Sequence, residues 1–119
     1  VWKVELHEDF ESEFDVLPED VKDELLAKAR LLEQLGSQVK RPHVDTLNGS
    51  EHSNMKELRF KASGGVWRVA FAFDPRRQAI ILVAGDKSGV SQIQFYKQLI
   101  KKADARYNNH LLKLEQEDF

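Results

Sequence analysis

The chain has no cysteine and only three prolines. The missing cysteine excludes disulfides, thiolate metal sites and cysteine nucleophiles together. Long apolar stretches are missing too: the longest run, residues 79–84, is far too short to cross a bilayer. No secretory signal precedes the first strand-like segment, so a cytoplasmic protein is the expectation. Apolar residues make up 41% and charged residues 32%, a balance that argues against disorder. A length of 119 residues predicts one domain over 1–119, large enough to bury a core.

The formal net charge is only −2, but it is divided unevenly along the chain. Residues 1–36 hold 4 Lys/Arg against 11 Asp/Glu, whereas residues 37–114 hold 14 Lys/Arg against 6 Asp/Glu. Glu115, Glu117 and Asp118 then close the chain with an acidic end. This asymmetry predicts an anion-binding surface backed by a solvated acidic layer.

Residues 2–6 alternate and read as a first strand. Residues 7–17 carry Phe10, Phe14 and Leu17 at helical spacing until Pro18 interrupts. A second helix starts near Pro18, with Glu19, Asp20, Asp23 and Glu24 favourably placed at its N-terminal end. Val21, Leu25, Ala29 and Leu32 form its apolar stripe, and Gly36 stops it. The two helices predict a hairpin covering one face of a sheet.

Residues 37–54 are polar and irregular, and carry Lys40, Arg41, His43 and His52; they predict a mobile basic loop. Three strand-like runs follow at 55–61, 66–73 and 78–85, joined by Gly64-Gly65 and by Asp74-Pro75-Arg76-Arg77. The third run is apolar on both faces and predicts the most buried strand. A long amphipathic helix over 91–114 closes the chain, with Ile93, Tyr96, Leu99, Ile100, Ala103, Tyr107, Leu111 and Leu114 among its apolar positions. The expected class is α+β, in the order β-α-α-β-β-β-α, with a small curved antiparallel sheet.

Basic residues interrupt these strands: Arg59 and Lys61 in the first run, Arg68 in the middle of the second, Lys87 just beyond the third. A guanidinium on a central strand is costly unless an anion meets it, and RNA phosphate is one such anion. Glu57, Arg59 and Lys61 share one strand face by their two-residue spacing, and Lys56 falls on the other.

The ordered set Glu57-Leu58-Arg59, Trp67-Arg68-Val69, Gly85-Asp86-Lys87-Ser88-Gly89 and Phe95-Tyr96 resembles the RelE/HigB superfamily. Within it, the chain is most similar to the phage Gp49-like, HigB-type toxins of type II toxin–antitoxin modules. The resemblance spans nearly the whole chain. It implies a curved antiparallel sheet flanked by N-terminal helices, and ribosome-dependent cleavage of mRNA. In that chemistry a ribose 2′-OH attacks the adjacent phosphate and expels the 5′-oxygen. It needs a base, an acid and cations for the charge that builds on phosphorus.

By this resemblance Arg68 is the phosphate-stabilising arginine, with pairing to Glu57 or Asp86 as the structural alternative. Lys87 stands where the family carries a basic residue after the last core strand. Tyr96 matches a late tyrosine that stacks on a base or assists proton transfer, and it equally fits the helix's buried stripe. Arg59 joins the cationic set. The lysine pair that precedes Leu-Arg in the best-known RelE pattern is replaced by Met55 and Glu57, so Glu57 is either a base or a salt-bridge partner. Lys56, Lys61, Arg76, Arg77 and Lys97 are candidates for RNA-backbone contact. None of the four histidines lies in a core strand or has metal-ligand spacing, so no metal or other cofactor is expected.

The implied partners are a cognate antitoxin of the HigA type with a helix-turn-helix domain, the ribosome and mRNA. No membrane is implied, and DNA is reached only through the antitoxin. The alternatives are a ParE-like non-nuclease toxin acting on DNA gyrase, or an inactive antitoxin-binding module of a repressor complex.

Overall fold

The computed structural model describes residues 2–117, which leaves Asp118 of the acidic end outside the described residues. The elements run β1 (Lys3–Leu6), α1 (Glu8–Asp15), α2 (Glu19–Leu35), β2 (Val44–Thr46), β3 (Met55–Ala62), β4 (Gly65–Phe73), β5 (Gln78–Asp86) and α3 (Gln92–Glu117). They build a five-stranded sheet of order β1-β5-β4-β3-β2.

The expected α+β class and helical hairpin are present, with two differences in the sheet. Strands β2 to β5 pair antiparallel, but β1 lies parallel to β5, so the sheet is mixed. The parallel neighbours β1 and β5 are joined through both helices and strands β2 to β4, a connection far longer than the roughly dozen residues that parallel pairing needs. Second, residues 37–54 do not form the expected mobile loop. They contain a short 3-10 turn at Gly36–Gln38 and the edge strand β2, and side chains hold the remainder. Ser50 Oγ and the Glu51 amide both donate to Asp104, at 2.5 and 3.1 Å, and His52 Nε2 lies 2.7 Å from Asn108 Oδ1.

Both sheet faces are covered, which is why β5 is apolar on both sides. Phe10 of α1 and Val21, Leu25 and Leu32 of α2 pack on Leu58, Val69, Phe71 and Ile81. On the opposite face Leu99, Ala103 and Tyr107 of α3 pack on Met55, Ala70, Ala72, Ile80 and Leu82. The period-two alternation of the strands sends neighbouring residues to these two separate cores.

A β-bulge breaks the β4–β5 ladder after Ala70, so Leu82 has no partner in the register on either side. Bulges bend and twist a strand. Its freed carbonyl accepts a 2.7 Å hydrogen bond from Arg106 Nη1, and the same guanidinium grips Glu13 of α1 at 2.9 and 2.5 Å. The Arg106 hydrogen bond holds the Glu13 carboxyl below its ordinary range. One side chain thus ties α3 to α1 and to the bulge.

The far end of α3 is fixed by a second knot. Asp74 is buried at the β4–β5 turn and accepts from the amides of Arg76 and Gln78, each at 2.9 Å. Gln78 Nε2 lies 3.0 Å and His110 Nε2 2.8 Å from its other oxygen. The half-buried His110 is therefore a packed anchor, and His7, which caps α1 at the Asp9 amide, is buried. Asp74→Ala strips four donors of their acceptor inside this knot. It is expected to destabilise the fold by about 3 kcal/mol in urea denaturation, given ~1–3 kcal/mol for each buried polar group left unpaired. A loss under about 0.5 kcal/mol would show that the knot holds nothing.

Candidate active site

The antiparallel register of β3 and β4 sets Arg59 directly opposite Arg68. Like charges in that position repel. The carboxylate of Glu57, two residues along the same face, resolves the conflict. Its Oε2 accepts from Arg59 Nη1 at 3.0 Å. Its Oε1 accepts from the Tyr96 hydroxyl at 2.9 Å and lies 3.8 Å from Arg68 Nε. The circuit closes where Arg68 Nε donates to the Tyr96 oxygen at 3.2 Å.

Glu57 and Arg68 are only 4% and 6% exposed, so the centre of this network is buried, unlike a surface ion pair. Arg68 Nη1 donates to the Trp67 carbonyl at 2.9 Å. Its remaining nitrogen, Nη2, has no partner among the described residues. Since no buried side-chain nitrogen or oxygen among them lacks a partner, Nη2 reaches solvent. The arginine is clamped on two nitrogens and open on the third.

Tyr96 arrives from the first turns of α3 because β5 makes room for its neighbour. Gly85 lies across the ladder from Arg68, and a Cβ there would come within 2.9 Å of the Phe95 ring. The missing side chain seats Phe95 and so delivers the next residue to Glu57. Lys87 follows on a loop that Asp86 pins, its Oδ1 accepting from the amides of Val66 and Ser88 at 2.9 and 3.0 Å and from Ser88 Oγ at 2.6 Å. Lys87 Nζ stands 6.0 Å from the Tyr96 ring centroid.

The electrostatics of the two proton carriers diverge. Burial pushes the Tyr96 phenol above its ordinary range, reinforced by Glu57 and opposed by the Arg68 hydrogen bond. Partial burial, followed by the charges of Arg68 and Arg59, pulls the Lys87 ammonium below its ordinary range. At neutral pH the phenol is therefore intact, and Lys87 gives up a proton more readily than a free lysine.

Five of the residues singled out from the sequence, Glu57, Arg59, Arg68, Lys87 and Tyr96, meet in this cluster. The others do not join it. Lys56 faces away and donates to Thr46 Oγ1 at 3.2 Å. Lys61 is exposed at the end of β3, and Lys97 is exposed beside Tyr96 on α3. Arg76 and Arg77 lie on the turn at the opposite end of the β4–β5 hairpin, where Arg76 pairs with Glu117 at 2.8 Å and Arg77 stacks 4.6 Å from the Trp2 ring. Asp86 is taken up by Val66 and Ser88, so Glu57 is the carboxylate that pairs with Arg68.

Asp45 is the neighbour that sequence reading missed. It lies 3.9 Å from Arg59 Nη1 and is itself held by Arg41 Nη2 at 2.6 Å. Val-Asp-Thr is too short a run to signal a strand, so only the cations around it marked the region.

Residues 12–108 match the family model described as phage derived protein Gp49-like. The chain belongs to that family. It is 46% identical over 92 residues to a Mycobacterium tuberculosis protein bearing the toxin name HigB2, and 43% identical over 98 residues to one named HigB3. The first match covers 76% of this chain and the second 82%. The chain spans 45% of the length of HigB2 and 83% of that of HigB3. Its fold is similar to the free E. coli toxin RelE, solved as an arginine-to-alanine mutant, with TM-score 0.60 at 13% identity over 85% of this chain and 95% of that one. It is also similar to the archaeal RelE–RelB complex of Pyrococcus horikoshii, with TM-score 0.53 at 20% identity over 75% and 98%. For this Gp49-like chain the likeness to RelE carries the fold alone; the cluster has to stand on its own geometry.

Removing the central carboxylate tests that geometry. Glu57→Ala leaves Arg59 and Arg68 opposed with only the more distant Asp45 as counter-charge and is expected to cost about 3–5 kcal/mol of stability by denaturant unfolding. Glu57→Gln keeps the shape and can still accept from Tyr96, and should lose less than Glu57→Ala. Equal stability of Glu57→Ala and wild type would overturn the role of Glu57 as the hub.

Proposed function

We propose that this chain is the toxin of a type II toxin–antitoxin module, a ribosome-dependent endoribonuclease that halts translation by cutting mRNA. The observation that carries the reading is the convergence of three cations on the half-buried Tyr96 and the buried Glu57 it bonds, with one nitrogen of Arg68 reaching solvent. Such an arrangement suits a phosphodiester whose charge rises during reaction. The toxin names of two relatives above 40% identity support it.

In this scheme Arg68 and Arg59 hold the two non-bridging oxygens of the scissile phosphate. Guanidinium suits this role because it stays charged and its donors match the spacing of phosphate oxygens. The ribose 2′-oxygen forms a bond to phosphorus and passes its proton to the Tyr96 oxygen, while the Tyr96 proton moves along the existing hydrogen bond to Glu57 Oε1. The bond from phosphorus to the 5′-oxygen breaks, and Lys87 donates the proton that the leaving oxygen needs. The products are a 2′,3′-cyclic phosphate and a 5′-hydroxyl end, and no step calls for a metal or other cofactor. The partner is a cognate antitoxin, of the helix-turn-helix HigA type, which masks the toxin and provides the only link to DNA. The ribosome supplies the mRNA, which places the protein in the cytoplasm.

Primer extension on mRNA translated in vitro tests the scheme. Arg68→Ala is expected to lower the cleavage rate by about 10²–10³-fold, the loss typical for one preorganised donor. In-frame cleavage by Arg68→Ala at the wild-type rate would sink the proposal, as would intact mRNA with DNA damage on expression.

The pH dependence follows from the proton donor. Lys87 acts in its protonated form, so cleavage should fall as pH rises through its lowered pKa. In Lys87→Arg the alkaline fall should vanish, with residual cleavage flat over that range. An unchanged alkaline limb in Lys87→Arg would remove Lys87 from the role of acid.

A further inference from the structure

The catalytic cluster opens on one side into a cavity of about 430 Å³, whose outer walls the scheme above does not use. Glu57, Arg59 and Tyr96 form its inner wall, Asp45 to Asn48 of β2 and the following loop form a second, and Gln92 and Ile93 of α3 form a third. Three features set this cavity apart from an accidental gap.

Its outer wall is rigid. Asp45 is gripped by Arg41 Nε and Nη2 at 3.1 and 2.6 Å, and its other oxygen accepts from the Thr46 amide at 2.9 Å. Beyond Asn48 the chain is tied to α3 through Ser50, Glu51 and His52, and a Cβ on Gly49 would come within 3.3 Å of Ile100. The loop is thus held against the same helix that supplies Tyr96.

Its polar lining is unspent. The side-chain amides of Asn48 and Gln92 line the cavity and hydrogen-bond to no other side chain or backbone group among the described residues. Each offers a donor and an acceptor, the combination that reads the edge of a nucleobase.

Its apolar lining is exposed. Ile93 shares its apolar helical stripe with the buried Leu99, Ala103 and Tyr107, yet it is 81% exposed where it lines the cavity. An apolar side chain beside a guanidinium, here Arg59, provides a flat, mixed surface on which a base can pack.

We propose that this cavity is a nucleobase-reading subsite, in which Asn48 and Gln92 hydrogen-bond the base next to the scissile phosphate and Ile93 packs on its face. The proposal rests on the endonuclease reading, because Arg59 belongs at once to the phosphate clamp and to the cavity wall. It places sequence preference in residues that do no chemistry. Asn48 and Gln92 are exposed, so their substitution leaves the core untouched.

Two measurements separate this subsite from the nuclease reading. The first titrates the purified protein with four 2′-O-methyl trinucleotides, one for each base, followed by amide-detected NMR. Wild type should show shifts at the Asn48 and Gln92 side-chain amides, and the affinity should differ among the four bases. In Asn48→Ala/Gln92→Ala the spread between best and worst base should shrink by about fivefold or more, the loss of roughly 1 kcal/mol of net hydrogen bonding. Shifts confined to the region of Arg68 and Lys87, or no shifts with any trinucleotide, would overturn the subsite.

The second measurement maps cleavage positions on translated mRNA. The double variant should still cut, with a broader distribution over the base at the scissile step, and Ile93→Ala should broaden it less. An unchanged distribution with unchanged overall rate would overturn the inference and leave the nuclease intact. Base-dependent trinucleotide binding with no cleavage in wild type would instead retain the subsite and discard the nuclease.

Discussion

The geometry of the site depends on one buried carboxylate. The β3–β4 ladder sets Arg59 against Arg68, and like charges placed directly across a ladder repel. Glu57 turns that repulsion into a network by bonding Arg59 directly and reaching Arg68 through Tyr96. Glu57 and the more distant Asp45 face Arg41, Arg59, Arg68 and Lys87, so positive charge remains in excess. That excess is what an anionic ligand would meet.

The same carboxylate governs where the last helix can sit. Tyr96 reaches Glu57 only if α3 begins close against β5, and Gly85 permits that approach by leaving room for Phe95. Farther along, Arg106 grips Glu13 and the bulge carbonyl of Leu82, and His110 meets Asp74 at the turn. The helix is thus fixed by polar contacts at three levels, with Leu99, Ala103 and Tyr107 supplying the apolar contacts between them. A helix anchored in this way holds its N-terminal turns as a rigid wall of the site, and the exposed Ile93 on that wall is consistent with this purpose rather than with core packing.

Much of this was legible from residue patterns. Period-two alternation located β3, β4 and β5 within a residue or two of their ends, and the apolar stripe located α3. Arg68 stood out because a cation among apolar strand residues demands a partner. What escaped was non-local. β2 is three residues long and forms only because β3 offers it an edge, so its sequence carries no strand signal. Asp45 was invisible for the same reason. Tyr96 fitted a buried stripe and a functional role equally well, and only the placement of Glu57 39 positions earlier in the chain separates them. The direction of β1 was hidden as well, since strand alternation is the same for parallel and antiparallel pairing.

The near-neutral net charge is no obstacle to an anionic ligand once the layers are in place. The acidic helices α1 and α2 pack on the face of the sheet that carries Leu58, Val69 and Phe71. Glu57, Arg59 and Arg68 project from the other face, the one that α3 covers, by strict alternation along β3 and β4. The outer acidic surface of α1 and α2 therefore stands behind the sheet from the cluster, where solvent and salt screen it. An anion approaching the site meets Arg59, Arg68 and Lys87 close by and a screened acidic layer behind the sheet. Charge summed over the whole chain conceals this; charge resolved by sheet face reveals it.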